Sequence, residues 1–155
     1  MNLRGNILVR APQIAVWECL LDVDRFSSCL PGVEQLRKLD DRTFEGVIKA
    51  SVGPMSGTFS FEAKIASSDP PNELSTRVTG TDSVTKSRMK ADLWLNLAAV
   101  EPGQTELTYL AEIDIHGRLA ILGDMVLRGA ATVMLQEFSK RLRAQVEAAD
   151  SISNA

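Results

Sequence analysis

Few side chains in this sequence are of the types that carry out chemistry, and they are scattered. His116 is the only histidine, and Cys19 and Cys29 stand ten residues apart with no Cys-x-x-Cys pattern. A zinc site or a nucleophile–base pair needs such residues in a cluster. We therefore predict no catalytic residue and no metal site, and a solvated or capping role for His116 at the end of a strand.

Two residues remain as candidates for contact with a ligand. Tyr109, the only tyrosine, falls in the middle of an apolar strand, and a buried phenol needs a partner, which is either a ligand oxygen, a backbone carbonyl or water. Asp82 falls on the same side of its predicted strand as Leu74 and Val78, the side expected to face inward. It lies at a strand end, however, where hydrogen bonding within a turn is the alternative to contact with a ligand. An acid/base enzyme needs such groups on its inner face, and this sequence is poor in them.

The bulk properties exclude several classes of protein. The chain has 155 residues and a net charge of -3, which fits one domain and gives no basic surface for nucleic acid. No run approaches the roughly 20 apolar residues of a membrane span. The N-terminus lacks the apolar region of a signal peptide, and the cysteine usage fits a reducing cytoplasm. We expect a cytoplasmic protein, a monomer or a homodimer.

The elements that must position these residues can be read from the periodicity. Residues 3 to 10 form a first strand; a helix follows from Pro12 to Asp22 with Ile14 and Trp17 on its apolar face. Asp24 is predicted to cap a second short helix that ends at Pro31-Gly32. The period then changes to two, which predicts six strands joined by short turns, at 33–39, 42–52, 57–67, 73–82, 86–98 and 105–116.

Alternation within the strands separates an apolar inner face from a polar outer face. The residues predicted to face inward are Phe59, Phe61, Ala63 and Ile65, then Met89, Ala91, Leu93, Leu95 and Leu97, and last Leu107, Tyr109, Ala111, Ile113 and Ile115. Trp94 has outward parity, so it marks either a partner contact or packing against neighbouring strand side chains. Gly53-Pro54-Met55-Ser56-Gly57 is predicted to be a hairpin loop with Met55 at its tip.

A single long helix is predicted from Gly117 to Ala149, followed by a frayed tail at 150–155. Its apolar stripe is interrupted by Gly123, Ala130 and Ala131, and a glycine costs roughly 1 kcal/mol against alanine in a helix interior. Two explanations stay open: the helix approaches the sheet closely, or the small residues leave room for a guest molecule. Ile121 and Met125 fall on the opposite side as a small docking patch. The basic run Lys140-Arg141-Leu142-Arg143 either attracts an anionic surface or is a solvated face.

The predicted order of elements is an α+β helix-grip fold, in which a curved seven-stranded antiparallel sheet wraps a long C-terminal helix within one domain, residues 1–149. Three segments carry a resemblance at this point: Ser28-Cys29-Leu30-Pro31-Gly32-Val33-Glu34, Val52-Gly53-Pro54 and the stretch Tyr109 to Gly123. With them the chain resembles the family of the carbon monoxide dehydrogenase G subunit (CoxG), within the START-like, polyketide-cyclase-like superfamily.

The resemblance implies a carrier or accessory protein rather than an enzyme. It implies an apolar cavity between sheet and helix, no intrinsic cofactor, and a quinone or other lipid-like molecule as the bound guest. It also implies a molybdenum hydroxylase of the carbon monoxide dehydrogenase type as partner, with the chain delivering quinone, aiding assembly or recruiting the enzyme to the inner face of the membrane. Members often carry a C-terminal hydrophobic anchor, and this chain stops at Ala155 without one, so we expect at most peripheral membrane contact.

Site residues follow from combining the inner faces with the helix stripe. The predicted ligand-binding residues are Phe59, Phe61, Met89, Leu93, Tyr109, Ala111, Gly123, Val126, Leu127, Ala130 and Met134. The predicted cavity mouth consists of Pro54, Met55, Ile121, Leu122 and Met125. Two alternatives remain: a cyclase-like or hydrolase-like enzyme with an inward acid/base group, and an assembly factor whose core is filled.

Overall fold

The computed structural model of the chain describes residues 1–52 and 54–153. Gly53 of the predicted hairpin loop and residues 154 and 155 of the predicted tail lie outside this range. The strands are β1 (Asn2–Val9), β2 (Val33–Lys38), β3 (Thr43–Val52), β4 (Met55–Asp69), β5 (Glu73–Asp82), β6 (Ser87–Glu101) and β7 (Gln104–His116). The helices are α1 (Gln13–Leu21), α2 (Val23–Cys29), a short 3₁₀ helix (Arg118–Leu122) and α3 (Asp124–Ser153).

The seven strands form one antiparallel sheet in the order β1-β7-β6-β5-β4-β3-β2. The predicted α+β arrangement, a seven-stranded sheet with two short helices after the first strand and a long helix at the end, is confirmed. β4 and β6 each have 15 residues, so each is roughly 50 Å long at 3.3 Å per residue. Strands of this length twist and coil, which lets the sheet curve around the helix.

The strand register aligns the predicted inner residues across the sheet. Phe61 pairs with Gly80, Gly80 with Met89 and Met89 with Ile115. The next row on the same face joins Ala63, Val78, Ala91 and Ile113. The residues between them form charged cross-strand pairs on the convex face, such as Arg77 with Asp92 at 2.9 Å. The period of two therefore identified both faces of the sheet correctly.

The short helices match their predicted positions, but two local details differ. The N-cap of α2 is Asp22, not Asp24, because the Asp22 carboxylate accepts the backbone N–H groups of Asp24 and Arg25. Ile14 is about half exposed, whereas Trp17 is buried in the core as predicted. Met55 is also not a loop tip: it is the first residue of β4, pairs with Val52 and is half-buried.

The prediction of one uninterrupted helix from Gly117 to Ala149 is wrong. The chain first forms the 3₁₀ helix, and α3 begins only at Asp124, after Gly123 adopts φ +87. That backbone conformation is costly for residues with a Cβ, which explains the glycine. At its other end α3 continues to Ser153, through four of the residues predicted to be a frayed tail.

The hydrophobic core fills only one end of the space between α3 and the sheet. Leu142 and Val146, in the C-terminal half of α3, are buried against Ile7 and Val9 of β1 and Leu107 of β7. Phe138 meets Phe26 of α2 edge-to-face, with ring centroids 5.9 Å apart. α1 and α2 pack against this half of α3 and close the end. The N-terminal half of α3 spans the opposite end of the sheet.

Candidate functional site

The candidate site is the concave space between the N-terminal half of α3, from Asp124 to Met134, and the strand ends beneath it; we call it the trough. Its sheet side carries apolar side chains that remain half-buried although they point inward: Phe61, Ala63, Val78, Met89, Leu93, Ile113 and Ile115. Apolar residues on a covered sheet face are normally buried completely. Their partial exposure indicates that protein atoms do not fill the trough.

The helix side of the trough has the same character. Leu127, Ala130, Ala131 and Met134 recur at helical spacing and are half-buried on the side of α3 that faces the sheet. Leu135 is also half-buried, in contrast to Leu142, which lies two turns later on the same face of α3 and has no exposed surface. The small residues of α3 thus lie where the helix is loosely packed. Close approach of helix to sheet does not account for them.

Two aromatic rings lean away from the centre of the sheet because glycines on neighbouring strands leave room for them. Gly5 of β1 pairs with Tyr109, and a Cβ placed on Gly5 would lie 2.5 Å from the tyrosine Oη. Gly46 of β3 pairs with Phe61, and its Cβ would lie 2.8 Å from the ring Cζ. Tyr109 also packs against the core, so it forms the inner end of the trough. The floor between the two rings includes the small residues Gly80 and Ala91 beside Val78, Met89 and Leu93.

Polar side chains fasten α3 to the β1 edge of the sheet. Arg128 donates to the Asn2 carbonyl at 2.9 Å, Arg143 donates to the Leu8 carbonyl at 3.0 Å, and Glu147 accepts the Arg10 N–H at 2.9 Å. Arg128 is itself held by Asp124 one turn earlier, at 2.7 Å. The basic run near residue 140 is therefore partly structural, since Arg143 contacts β1 and Arg141 pairs with Glu137. These contacts close the trough on the β1 side.

The opposite side of α3 faces an open groove, which we call the side groove. Its volume is about 410 Å³. Within the described residues, no hydrogen bond or ion pair joins the N-terminal half of α3 to β3 or to the turn before β2. The residues that line the side groove are Pro31, Gly32, Lys49, Ala50, Ser51, Met125, Val126, Gly129, Ala130, Val133 and Met134. Apolar side chains of α3 therefore meet solvent along the side groove.

A buried polar cluster holds the 3₁₀ helix that precedes α3. The Asp82 carboxylate accepts the Thr85 hydroxyl at 2.7 Å and the N–H groups of Val84 and Thr85. The Thr85 hydroxyl lies 2.8 Å from that of Ser87, which accepts the Leu119 N–H at 3.1 Å. Asp82 is therefore a turn residue, the second of the two explanations that the sequence left open. The roles of Thr85 and Ser87 were not predicted, although polar residues so close to Asp82 in the sequence are typical hydrogen-bond partners for its carboxylate.

These hydrogen bonds give the folded state a pH dependence that can be measured. The Thr85 hydroxyl first, and then backbone N–H groups, hold the pKa of Asp82 below its usual range, against the opposing effect of burial. A lowered folded-state pKa stabilises the protein above the unfolded-state pKa of about 4, and this stability is lost as the pH falls through the folded-state pKa.

We expect Asp82→Asn to be less stable than the wild type at pH 7, because the amide replaces a hydrogen-bonded carboxylate. The difference should shrink as the pH is lowered through the acidic range. Urea denaturation at pH 7, 5 and 3 measures it, and Asp114→Asn, at an exposed position on the convex face, is the matched control. A difference that stays constant over this range would contradict the assignment.

Most of the predicted ligand-binding residues surround the trough, in several environments. Phe59 and Ala111 are buried but outside the core cluster, while Phe61, Met89, Leu93 and Tyr109 are half-buried. Val126, Ala130 and Met134 line the side groove, and Leu127 faces the sheet. Gly123 differs, because it is the linking residue between the 3₁₀ helix and α3. A Cβ placed on it would meet no atom within 4 Å.

The predicted mouth residues are divided between two surfaces. Met125 lines the side groove and is 86% exposed, and Ile121 is 81% exposed. Leu122 and Met55 are half-buried, and Pro54 is exposed in the β3–β4 turn. The side groove itself was not predicted. Its second wall consists of Pro31, Gly32 and the end of β3, which are far from α3 in the sequence.

The remaining chemistry-bearing residues lie away from the trough. His116 is exposed at the end of β7 and points to the convex face, as its parity predicted. Burial raises the pKa of Cys19 to about 11 and also raises that of Cys29, so both thiols are protonated near neutrality. Among the described residues, no group of three or more His, Cys, Asp or Glu side chains is placed to hold a metal ion.

Two further surfaces lie on the convex face. Trp94 is exposed there, between Ser75 and Leu110 of the neighbouring strands. An open depression of about 1030 Å³ lies beside the β2–β3 turn. It is larger than the side groove, but charged residues such as Arg42, Glu62 and Lys64 line it, so it is a solvated surface and does not suit an apolar guest.

Comparison with known proteins agrees with this geometry. The family described as that of the carbon monoxide dehydrogenase G subunit (CoxG) matches residues 5–147, whereas no curated protein matches the sequence significantly. A conserved protein from Geobacillus kaustophilus is similar in structure, with a TM-score of 0.89 at 20% identity over 96% of both chains. A START superfamily protein from Mycobacterium smegmatis gives 0.73 at 13% identity, over 95% of this chain and 97% of the other.

An aromatase/cyclase from a Streptomyces species is also similar, with a TM-score of 0.70 at 14% identity over 95% of this chain and 93% of the other. At these identities the solved structures establish the fold alone, and that fold is START-like. Within the part of the chain that the structure describes, no helix has the length and apolarity needed to cross a membrane.

Proposed function

Because the chain belongs to the CoxG family of carbon monoxide dehydrogenase proteins, we propose that it is a carrier that holds one apolar small molecule in the trough. The observation that carries this proposal is the row of inward apolar side chains left half-buried beneath the N-terminal half of α3. Burying apolar surface yields about 25 cal/mol per Å² before the costs of association. A guest that covers this row would therefore bind mainly through its apolar area.

The chemistry of the trough suits a quinone as cargo. A quinone with an apolar tail needs a long apolar surface and a hydrogen-bond donor for a carbonyl oxygen, and the Tyr109 phenol is a donor at the inner end of the trough. The tail would then extend toward the side groove along Val126, Ala130 and Met134. In this proposal the chain serves a molybdenum hydroxylase of the carbon monoxide dehydrogenase type, by delivering the electron-accepting quinone or by aiding assembly or membrane recruitment.

The geometry favours binding over catalysis. A cyclase-like enzyme, the alternative suggested by the structural similarity to an aromatase/cyclase, needs an acid or base with an atom free to face the trough. Asp82 is the inward carboxylate, and its oxygens already accept hydrogen bonds from Val84 and Thr85. An assembly factor without a guest would instead require a filled trough, which is at odds with the half-buried row.

Native mass spectrometry of the purified protein, with lipid extraction of the same sample, tests the proposal. We expect an isoprenoid quinone or another apolar molecule to co-purify in one copy per chain, or added ubiquinone-1 to bind at this ratio. A protein that carries no guest and ignores added quinone would contradict the carrier function. Binding of quinone with no contact to a molybdenum hydroxylase in a pull-down would retain the carrier and remove the proposed partner.

A further inference from the structure

Gly5 occupies an unusual place on the edge strand β1, directly opposite Tyr109. A Cβ built on Gly5 would lie 2.5 Å from the tyrosine Oη and 2.8 Å from its Cζ. Real Cβ atoms do not approach other heavy atoms this closely, so the phenol end of Tyr109 occupies the space that any other side chain at position 5 would need. The three nearest atoms, Oη, Cζ and Cε1, all belong to this one side chain.

The ring of Tyr109 has neighbours on two sides and the trough on a third. At the β1 edge, Arg128 and Arg143 of α3 bond to the carbonyls of Asn2 and Leu8, on either side of Gly5. On the core side the ring packs against the cluster that contains Leu107. The trough, with its half-buried walls, offers open space beside the ring. We therefore expect a side chain at position 5 to push the ring into the trough.

We propose that Gly5 is a specificity-determining residue: it seats the Tyr109 ring against β1 and thereby sets the width of guest that the inner end of the trough accepts. This inference rests on the proposed carrier function. It also places the Tyr109 hydroxyl beside β1, on the side of the trough opposite the side groove, so the polar end of a guest lies innermost and its apolar part points toward the side groove. The favoured guest is an amphiphile with one narrow polar end.

The experiment uses two fluorescent probes that share a hydroxyl group and differ in width, 1-naphthol with two fused rings and 1-hydroxypyrene with four. Both are titrated against the wild type, Gly5→Ala and Asn6→Ala. Asn6 is the control, since it is the next residue of β1 and is exposed on the opposite face of the strand. For Gly5→Ala we expect the affinity for 1-hydroxypyrene to fall about tenfold and that for 1-naphthol to change less than about twofold. Asn6→Ala should alter neither affinity.

The outcomes separate this inference from the carrier function. If the wild type binds neither probe, the carrier function fails. If the wild type binds both and Gly5→Ala leaves them unchanged, or weakens both equally, the role of Gly5 is overturned while the carrier function stands. The double variant Gly5→Ala/Tyr109→Leu should regain at least the wild-type ratio of 1-hydroxypyrene to 1-naphthol affinity, because the displaced ring is gone.

A second variant keeps the inference testable if Gly5→Ala does not fold. Tyr109→Leu alone removes the ring from the inner end of the trough, and Gly5 remains in place. We expect this variant to bind 1-hydroxypyrene more tightly relative to 1-naphthol than the wild type does, by about threefold or more. Thermal unfolding verifies that the variant is folded. An unchanged ratio of the two affinities in a folded Tyr109→Leu protein would also overturn the proposed role.

Discussion

Replacing Leu142 by alanine should lower the free energy of unfolding by about 3 kcal/mol, within the range known for Leu→Ala at fully buried sites. Leu142 has no exposed surface and lies in the core cluster between α3 and β1. The substitution removes apolar contacts and leaves a cavity that surrounding helices fill only in part. Urea denaturation followed by circular dichroism measures the loss as a change in the midpoint at constant slope.

The matched control for this prediction is Val133→Ala on the same helix. Val133 is 65% exposed beside the side groove, so its truncation should change the free energy of unfolding by less than about 0.5 kcal/mol. The contrast between the two positions measures the energy of burying Leu142, since Val133 projects from the opposite face of α3. Comparable losses at both positions would contradict the assignment of Leu142 to the core.

Replacing Ala130 by phenylalanine should reduce the binding of apolar probes by an order of magnitude or more, because the added ring enters the part of the trough proposed to hold the guest. Ala130 is half-buried and lines the side groove. In an unfilled trough the ring finds space, so stability should change by less than about 1 kcal/mol; in a filled core, overpacking costs about 1 to 3 kcal/mol. Titration with 1-naphthol and urea denaturation of the same samples measure both quantities.

Gln136→Phe is the control for this second prediction. It adds the same ring to an exposed position of α3 that does not line the side groove. We expect normal probe binding for this variant, so any loss specific to Ala130→Phe reflects occupation of the trough. If Ala130→Phe is destabilised by about 1 to 3 kcal/mol and its affinity for the probe equals that of the wild type, the space beside Ala130 is packed and the probe binds elsewhere.

The sequence was sufficient to predict the sheet and its inner face. The period of two persists through each long strand, so the inward rows from Phe59 to Ile65 and from Met89 to Leu97 were identified before the register was known. Trp17 in the core and Trp94 on the outer face followed from the same reasoning. These features depend on local alternation of apolar and polar residues, which a single sequence displays directly.

Other features depended on backbone geometry or on contacts distant in sequence. The apolar residues keep their helical spacing on both sides of Gly123, so the periodicity did not reveal the break; the glycine itself was the signal, and it was interpreted as part of a cavity wall. The side of the helix that opens was also not predictable, because it is set by Arg128 and Arg143 reaching backbone carbonyls of β1 more than 120 residues away. Carbonyl acceptors leave no trace in a sequence.

The one-sided fastening of α3 also bears on the kinetics of exchange. A helix bonded to β1 by Arg128 and Arg143, and joined to β3 by no polar contact among the described residues, has its weaker attachment on the β3 side. Release of the proposed guest would then require a local opening on that side only, with the β1 hydrogen bonds and the core around Leu142 left intact. The dissociation rate would therefore vary little with global stability, so residence time and resistance to unfolding could evolve independently.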